Sequence, residues 1–266
     1  MRSIVNTISN WYGRLGNNIQ QTCNGIIYSL VNDDGFFSPP HELIEQIVVN
    51  CDRKTMLRPN RFFHYNTNNK DFDIDIKYLY QNIGKVAKTY VVPAFKFETN
   101  KSYDDDTLVI HIRSGDIFEH EHNPPHDYVP NPLHYYLTLI EEYNKVIVVT
   151  EPDNYNPIVD ELRKHDKVVI QSTTVEEDFA TLMGAKNLAS SGTGTFAVAA
   201  ALCSSNIKKF YCTNLYLDEH LNPEMLMSND EVEVHMMELE DYIKLKTWRN
   251  NEEQRKFILE YKNEGV

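Results

Sequence analysis

Thr107-Leu-Val-Ile-His-Ile-Arg-Ser-Gly-Asp116 is the stretch on which the fold turns. It opens as a run of β-branched and apolar residues, which reads as a buried strand. It closes in His111, Arg113, Ser114, Gly115 and Asp116, a polar turn at the strand's C-terminal end. In α/β folds that edge is where ligands bind. An arginine held there presents a rigid fork of donors that matches phosphate. The competing reading is an Arg113–Asp116 ion pair that closes the corner between strand and loop.

Working outward toward the C-terminus, strands and helices alternate. Pro132 to Tyr143 reads as a helix with proline in its first turn, and Lys145 to Thr150 as a buried strand ending in Thr150, Glu151 and Asp153. A helix from Pro157 to His165, a strand from Lys167 to Gln171 and a helix from Val175 to Gly184 follow. This alternation predicts a parallel, doubly wound sheet. Ser190-Ser-Gly-Thr-Gly-Thr-Phe196 then leads into the Ala-rich helix 197–203. Its hydroxyls and the amides of Ser191, Thr193, Gly194 and Thr195 could hold a diphosphate without lysines; a helix cap and tight turn is the alternative. Ile207 to Cys212 is the next strand.

Toward the N-terminus, Ile4 to Ser9 reads as a strand, Gly13-Arg-Leu-Gly-Asn17 as a glycine loop, and Ile19 to Val31 as a helix with apolar residues at helical spacing. Gly13 and Gly16 permit close approach of backbone to a ligand, while Arg14 and Asn17 add directional polar groups. A short strand near Gly35, an element near Ile47–Asn50, a helix over Tyr78–Val86 and a short strand at Tyr90–Pro93 complete this half. Asp71, Asp73 and Asp75 alternate as in a metal-binding DxD pattern, but read as a solvated edge or helix start rather than as a metal site. His120, His122 and His126 lie in a proline-bearing stretch, Glu119–Pro130, that reads as a mobile loop suited to covering an acceptor rather than as a metal site. The polar linker ending at Ser102 places a boundary: residues 1–102 form an N-terminal lobe, 103–236 a C-terminal lobe and 237–266 a helical tail. That tail is expected to pack across both lobes through Trp248 and Phe257.

Composition narrows the partners. The chain has 266 residues, of which 41% are hydrophobic and 24% charged, an ordinary globular balance. A formal charge of −13 offers no field for nucleic acid or for anionic membrane surfaces. Any anionic ligand must be captured locally. No apolar run approaches the roughly 20 residues of a membrane helix, and the polar start does not read as a signal peptide. Cys23, Cys51, Cys203 and Cys212 show no CxxC spacing, so neither zinc nor a disulfide framework is expected, and the setting is taken as reducing and cytoplasmic.

Three separated stretches resemble one family in order and approximate spacing. Gly13-Arg-Leu-Gly-Asn17 resembles the Gly-Arg-x-Gly-Asn motif, His111-Ile-Arg-Ser-Gly-Asp116 the His-x-Arg-Arg-x-Asp peptide, and Ser190–Phe196 the late Ser/Thr-rich motif of the α1,2/α1,6/protein O-fucosyltransferase superfamily. The resemblance spans roughly residues 4 to 215. It implies two Rossmann-like lobes in a GT-B-like arrangement and an inverting, metal-independent glycosyltransferase. The C-terminal lobe would hold the sugar-nucleotide donor and the N-terminal lobe would face the glycan acceptor.

Carried over by position, Arg113 would bind the diphosphate and stabilise the leaving nucleotide. His111, Ser114, Ser191, Thr193, Gly194, Thr195 and Phe196 would line the donor pocket, and Gly13, Arg14, Gly16 and Asn17 would touch substrate. Asp116 and Glu119 are the candidate bases, with a structural role for Asp116 as the alternative. GDP-fucose is the donor the resemblance favours; Ser114 stands where the α1,2/α1,6 pattern has a second arginine, a departure that leaves UDP-xylose open. A glycan- or nucleotide-binding module without catalysis is the competing function. Oligomeric state and acceptor are not legible.

Overall fold

The computed structural model describes residues 4–51, 58–66, 73–121, 124–125, 127–228 and 232–263. The chain divides into two compact units, one made of residues 1–98, 198–204 and 217–231, the other of 99–197, 205–216 and 232–266.

The first unit starts with β1 (Val5–Ile8), followed by α1 (Leu15–Val31), β2 (Gly35–Phe37), β3 (Val48–Val49), β4 (Asn60–Arg61) and α2 (Ile76–Val86). β1 pairs in parallel with β2 and with β4, and β3 closes the edge antiparallel to β2, in the order β3-β2-β1-β4. The inner face of α1 is apolar at helical spacing through Ile19, Cys23, Ile26 and Ile27. Its next stripe is polar and equally buried: Gln20, Gln21, Asn24 and Ser29. Buried amides need partners. Gln20 donates to Asn66 Oδ1 (2.9 Å) and to the Glu219 carbonyl (3.0 Å), while Asn24 donates to the Phe63 carbonyl (2.9 Å). Asn66 in turn donates to the His220 carbonyl (2.7 Å) and Asn222 to Tyr80 Oη (3.0 Å). These bonds draw residues 217–231 into the first unit, although the sequence reads them as part of a contiguous C-terminal lobe.

Two local expectations change. Tyr90–Pro93 is not a strand: α2 runs on into a π-helical turn (Ala87–Val91) and a 3₁₀ turn (Val92–Ala94). Val91 is buried in that turn, so β-branched character there serves packing rather than sheet. Asp75 caps α2, accepting from the Tyr78 N–H at 2.9 Å, which is the helix-start reading; Asp71 lies outside the described residues.

His64 is buried in this unit beside His220, ring centroids 5.1 Å apart. Burial first, and the His220 charge second, push its pKa from 6.5 down to about 4. The folded protein therefore resists a proton that the unfolded chain accepts. Stability is expected to fall as pH drops from about 6.5 to about 4 and to level off below that. Melting curves across that window check this; a His64→Gln variant should flatten the dependence, and an unchanged slope would remove His64 as its source.

The second unit runs β5 (Thr107–Ile112), α3 (Leu133–Glu141), β6 (Lys145–Thr150), α4 (Pro157–Leu162), β7 (Val168–Gln171), α5 (Val175–Gly184), β8 (Asn187–Ala189), α6 (Phe196–Cys203) and β9 (Lys209–Thr213). From Val198 onward α6 belongs to the first unit, as does α7 (Glu224–Met227). The chain ends with β10 (Glu233–Met237) and α8 (Glu252–Glu260). All six strands are parallel, in the order β10-β9-β8-β5-β6-β7. This is the α/β doubly wound sheet expected from the alternation of elements. β10 is an addition, since its sequence carries no strong apolar run.

The tail packs in the second unit. Trp248, Ile258, Tyr242 and Tyr261 join the core formed by β5, α3 and β6. Phe257, expected as an anchor, is 37% exposed and stacks on Tyr242 instead. The helix begins only at Glu252, and its phase turns Ile258 inward. All four cysteines are free thiols; burial pushes Cys203 and Cys212 up to about 12. Among the described residues, no helix is long and apolar enough to cross a membrane.

Candidate functional site

The strand order of the second unit selects one place. Counted along the sheet's own sequence, β5 is the first strand and β8 the fourth. They lie side by side, with the later and earlier strands fanning out on opposite sides. That neighbour pair is the topological switch point, where the crevice outside the carboxyl ends takes ligands. Two of the three stretches singled out in the sequence leave these two ends: His111–Asp116 after β5 and Ser190–Phe196 after β8.

After β5, Arg113 pairs bidentately with Asp116: Nε donates to Oδ1 at 3.1 Å and Nη2 to Oδ2 at 2.6 Å. The two side chains are 24% and 39% exposed. A guanidinium has five N–H donors, so the remaining three have no partner among the described residues. Its plane lies over the Tyr128 ring at 4.7 Å, and its carbonyl accepts from Asn156 Nδ2 at 3.2 Å. Asn156 also caps α4 through the Ile158 N–H. Burial opposes the Arg113 charge, but Tyr128, Asp116 and Glu151 outweigh it and raise the pKa further.

Ser114 is placed differently from the donor-lining role. It is buried, its N–H donates to Glu151 Oε2 (2.6 Å) and its hydroxyl to Asp153 Oδ1 (2.5 Å). The Gly115 N–H donates to Asp153 Oδ2 (2.8 Å). Two carboxylates at the end of β6 thus spend the amides of the β5 turn and hold it rigid. Glu119 lies farther along, exposed, with His120 Nε2 3.7 Å from its carboxylate. His122 and His126 lie outside the described residues.

After β8, the loop is stitched to Tyr128–Asn131. Tyr128 Oη bonds Ser191 Oγ (2.7 Å), Val129 N–H donates to Thr193 Oγ1 (3.2 Å), Pro130 bridges Gly192, and Asn131 Nδ2 donates to the Ser190 carbonyl (3.0 Å). Gly192 has φ +86°, and a Cβ there would sit 2.4 Å from the Val129 carbonyl, so only glycine fits. Ser191 and Thr193 are buried by this pairing. Gly194, Thr195 and Phe196 stay partly exposed at the start of α6, where the first helical N–H groups lack intrahelical partners. His111 is buried at the end of β5, its ring 5.1 Å from that of Phe196.

Tyr128 is the residue the sequence reading missed. It lies in the stretch read as a mobile lid, yet Tyr128, Val129 and Asn131 are buried. Its ring floors Arg113, its hydroxyl holds Ser191, and its edge would lie 3.4 Å from a Cβ on Gly194. Burial pushes the phenol's pKa well up, so it stays protonated at neutral pH. The visible signal was Tyr-Val between polar residues, masked by the surrounding prolines.

In the first unit, Gly13 has φ +71° and its missing Cβ makes room for Asn17, whose Nδ2 would otherwise be 2.1 Å away. Arg14 is the exposed residue preceding α1, and Gly16 and Asn17 lie in its first turn.

No known family model matches the chain, and no curated protein is similar to it. Among solved structures it is similar to a crystal structure of POFUT1 in complex with GDP. The identity is 10% and the TM-score 0.42, with 79% of this chain and 98% of that chain covered. So slight a likeness carries no argument about function.

Proposed function

We propose that the protein is an inverting glycosyltransferase that binds the diphosphate of a nucleotide sugar at the β5/β8 switch point and transfers the sugar, fucose by preference, to a glycan hydroxyl. The observation that carries the reading is Arg113: a cation fixed by Asp116, Tyr128 and Asn156, with three N–H donors unspent, on the strand end next to the one that leads into a helix N-terminus. Both are donors for an anion. Breaking the sugar–phosphate bond builds negative charge on the departing diphosphate. Preorganised donors stabilise that charge more than they stabilise the ground state. The Tyr128 ring and the rigid turns keep these donors in place before the substrate arrives, which lowers reorganisation cost.

In this scheme Phe196, Thr195, Gly194 and His111 line the donor side, and Ser191 and Thr193 support it from beneath. Ser114 locks the turn rather than touching the donor. Gly13, Arg14, Gly16 and Asn17 are proposed as substrate contacts of the first unit. GDP-fucose is the first donor to test, with UDP-xylose the alternative.

The test is a thermal-shift and product-release panel of GDP-fucose, UDP-xylose and their free nucleoside diphosphates, run with and without chelator. Stabilisation by one nucleotide together with slow sugar release supports a transferase. Stabilisation without release from any donor would leave a nucleotide-binding module. No response to any nucleotide would sink the reading.

Asp116 engages Arg113 with both oxygens, which supports a positioning role over proton abstraction. Asp116→Asn is expected to keep the fold, since Asn retains an acceptor oxygen for Arg113 and the pair is only partly buried, and to raise KM for the donor more than it lowers kcat. If kcat alone collapses and its pH profile loses its acid limb, Asp116 is the base instead.

A further inference from the structure

The first unit carries its own switch point. The chain leaves β1 for β2 by way of α1 and returns to β4 on the other side of β1, all three strands being parallel. Ligands bind outside carboxyl ends at such a gap. The residues that leave those ends, Ser9–Gly13 and Phe62–Asn66, bring aromatic rings together. Tyr12 lies 4.6 Å from His64 and 5.7 Å from Phe62, meeting them at 60° and 82°, and Tyr65 lies 4.6 Å from His64.

Tyr12 is 52% exposed, yet its backbone is clamped. Its N–H donates to Gln21 Oε1 (2.9 Å) and its carbonyl accepts from Asn18 Nδ2 (3.1 Å), both side chains of buried residues on α1. An aromatic ring kept in solvent on a fixed backbone is a preorganised contact surface. Under it, the buried His64 has an Nδ1 with no hydrogen-bond partner among the described residues. Its lowered pKa leaves the ring neutral at physiological pH, able to donate or to accept. Buried polar atoms without partners are rare enough to call for a ligand or water.

We propose that Tyr12, Phe62, His64 and Tyr65 form a binding face for a neutral pyranose ring, its C–H face on Tyr12 and one hydroxyl turned to His64. A pyranose offers the matching combination of an apolar face and a polar rim. A nucleoside would also stack, and the controls below separate it from a sugar. The inference goes beyond the transferase reading and does not rest on it.

Saturation-transfer NMR on the full chain tests it, with methyl β-D-galactopyranoside, methyl β-D-glucopyranoside and methyl α-D-mannopyranoside as probes and guanosine and uridine as controls. Transfer to the ring C–H protons of at least one glycoside is expected. It should weaken at least about fivefold in Tyr12→Ala, as truncating an interface anchor does, and persist in Tyr12→Phe. Absence of transfer to every glycoside overturns the proposal, as does transfer that survives Tyr12→Ala unchanged. Stronger, Tyr12-dependent transfer to a nucleoside overturns it in favour of a base-stacking site. Stabilisation by nucleoside diphosphates, which reports on Arg113, is expected unchanged in Tyr12→Ala, so failure of one reading is separable from failure of the other.

Discussion

Replacing Arg113 by Ala is expected to lower sugar release about 10²–10³-fold, the usual cost of removing one preorganised donor from a charge-stabilising site. The same change should abolish stabilisation by nucleoside diphosphates. The guanidinium is the cation fixed at the β5/β8 switch point, and its unspent donors are held in one plane by Asp116 and Tyr128. Its removal should leave the fold intact. Asp116 is left without its cation but is 39% exposed, and water can take over. Arg113→Lys keeps the charge but loses the fork, so it should recover only part of the binding. Measuring release from the preferred donor at saturating concentration separates the variants. Wild-type release from Arg113→Ala would remove the switch point as the site of chemistry.

Trp248→Ala should have the largest effect on stability, about 3–5 kcal/mol, as expected for emptying a fully buried aromatic position. Trp248 is fully buried, its Nε1–H donates to the Ile117 carbonyl at 3.0 Å, and its ring meets Phe118 edge-on at 5.4 Å. Ile117 and Phe118 directly follow Asp116. The cavity therefore opens beneath the turn that orients Arg113, and donor binding should weaken even where the variant remains folded. Trp248→Phe preserves most of the packing and removes the donor, an expected loss of about 1–3 kcal/mol. Denaturant midpoints with unchanged m-values would measure both. A midpoint for Trp248→Ala within error of wild type would show that the tail does not support the second unit.

Much of the second unit was legible because its strands are local apolar runs and its helices are local periodicities. Lys145–Thr150 and Val175–Gly184 appear in the structure with the bounds expected of them, and the strand that begins at Thr107 runs to Ile112, taking in the His111 read as part of the turn. The tail was harder. Residues 238–251 are charged and helix-prone in composition but lie outside any helix, so the phase of α8 could not be extended back to Trp248, and Phe257 was preferred over Ile258. Val91 and Val92 show the opposite failure: their strand propensity yielded to burial at the end of α2, as weak local preferences do.

The sequence by itself determined the α/β class, the polar corner at Arg113, the glycine-bearing turns and the lack of any basic field, since each depends on neighbours a few residues apart or on composition. Tertiary structure alone decided that β5 and β8 are adjacent, and hence that the turn carrying Arg113 and the loop leading into α6 leave neighbouring strand ends. It decided that Tyr128 floors Arg113, that Glu151 and Asp153 spend the amides of the β5 turn, and that Tyr12 stands over His64. Each of these is a meeting of side chains from separate strand ends, set by the order of strands in a sheet, which no local pattern in the chain encodes.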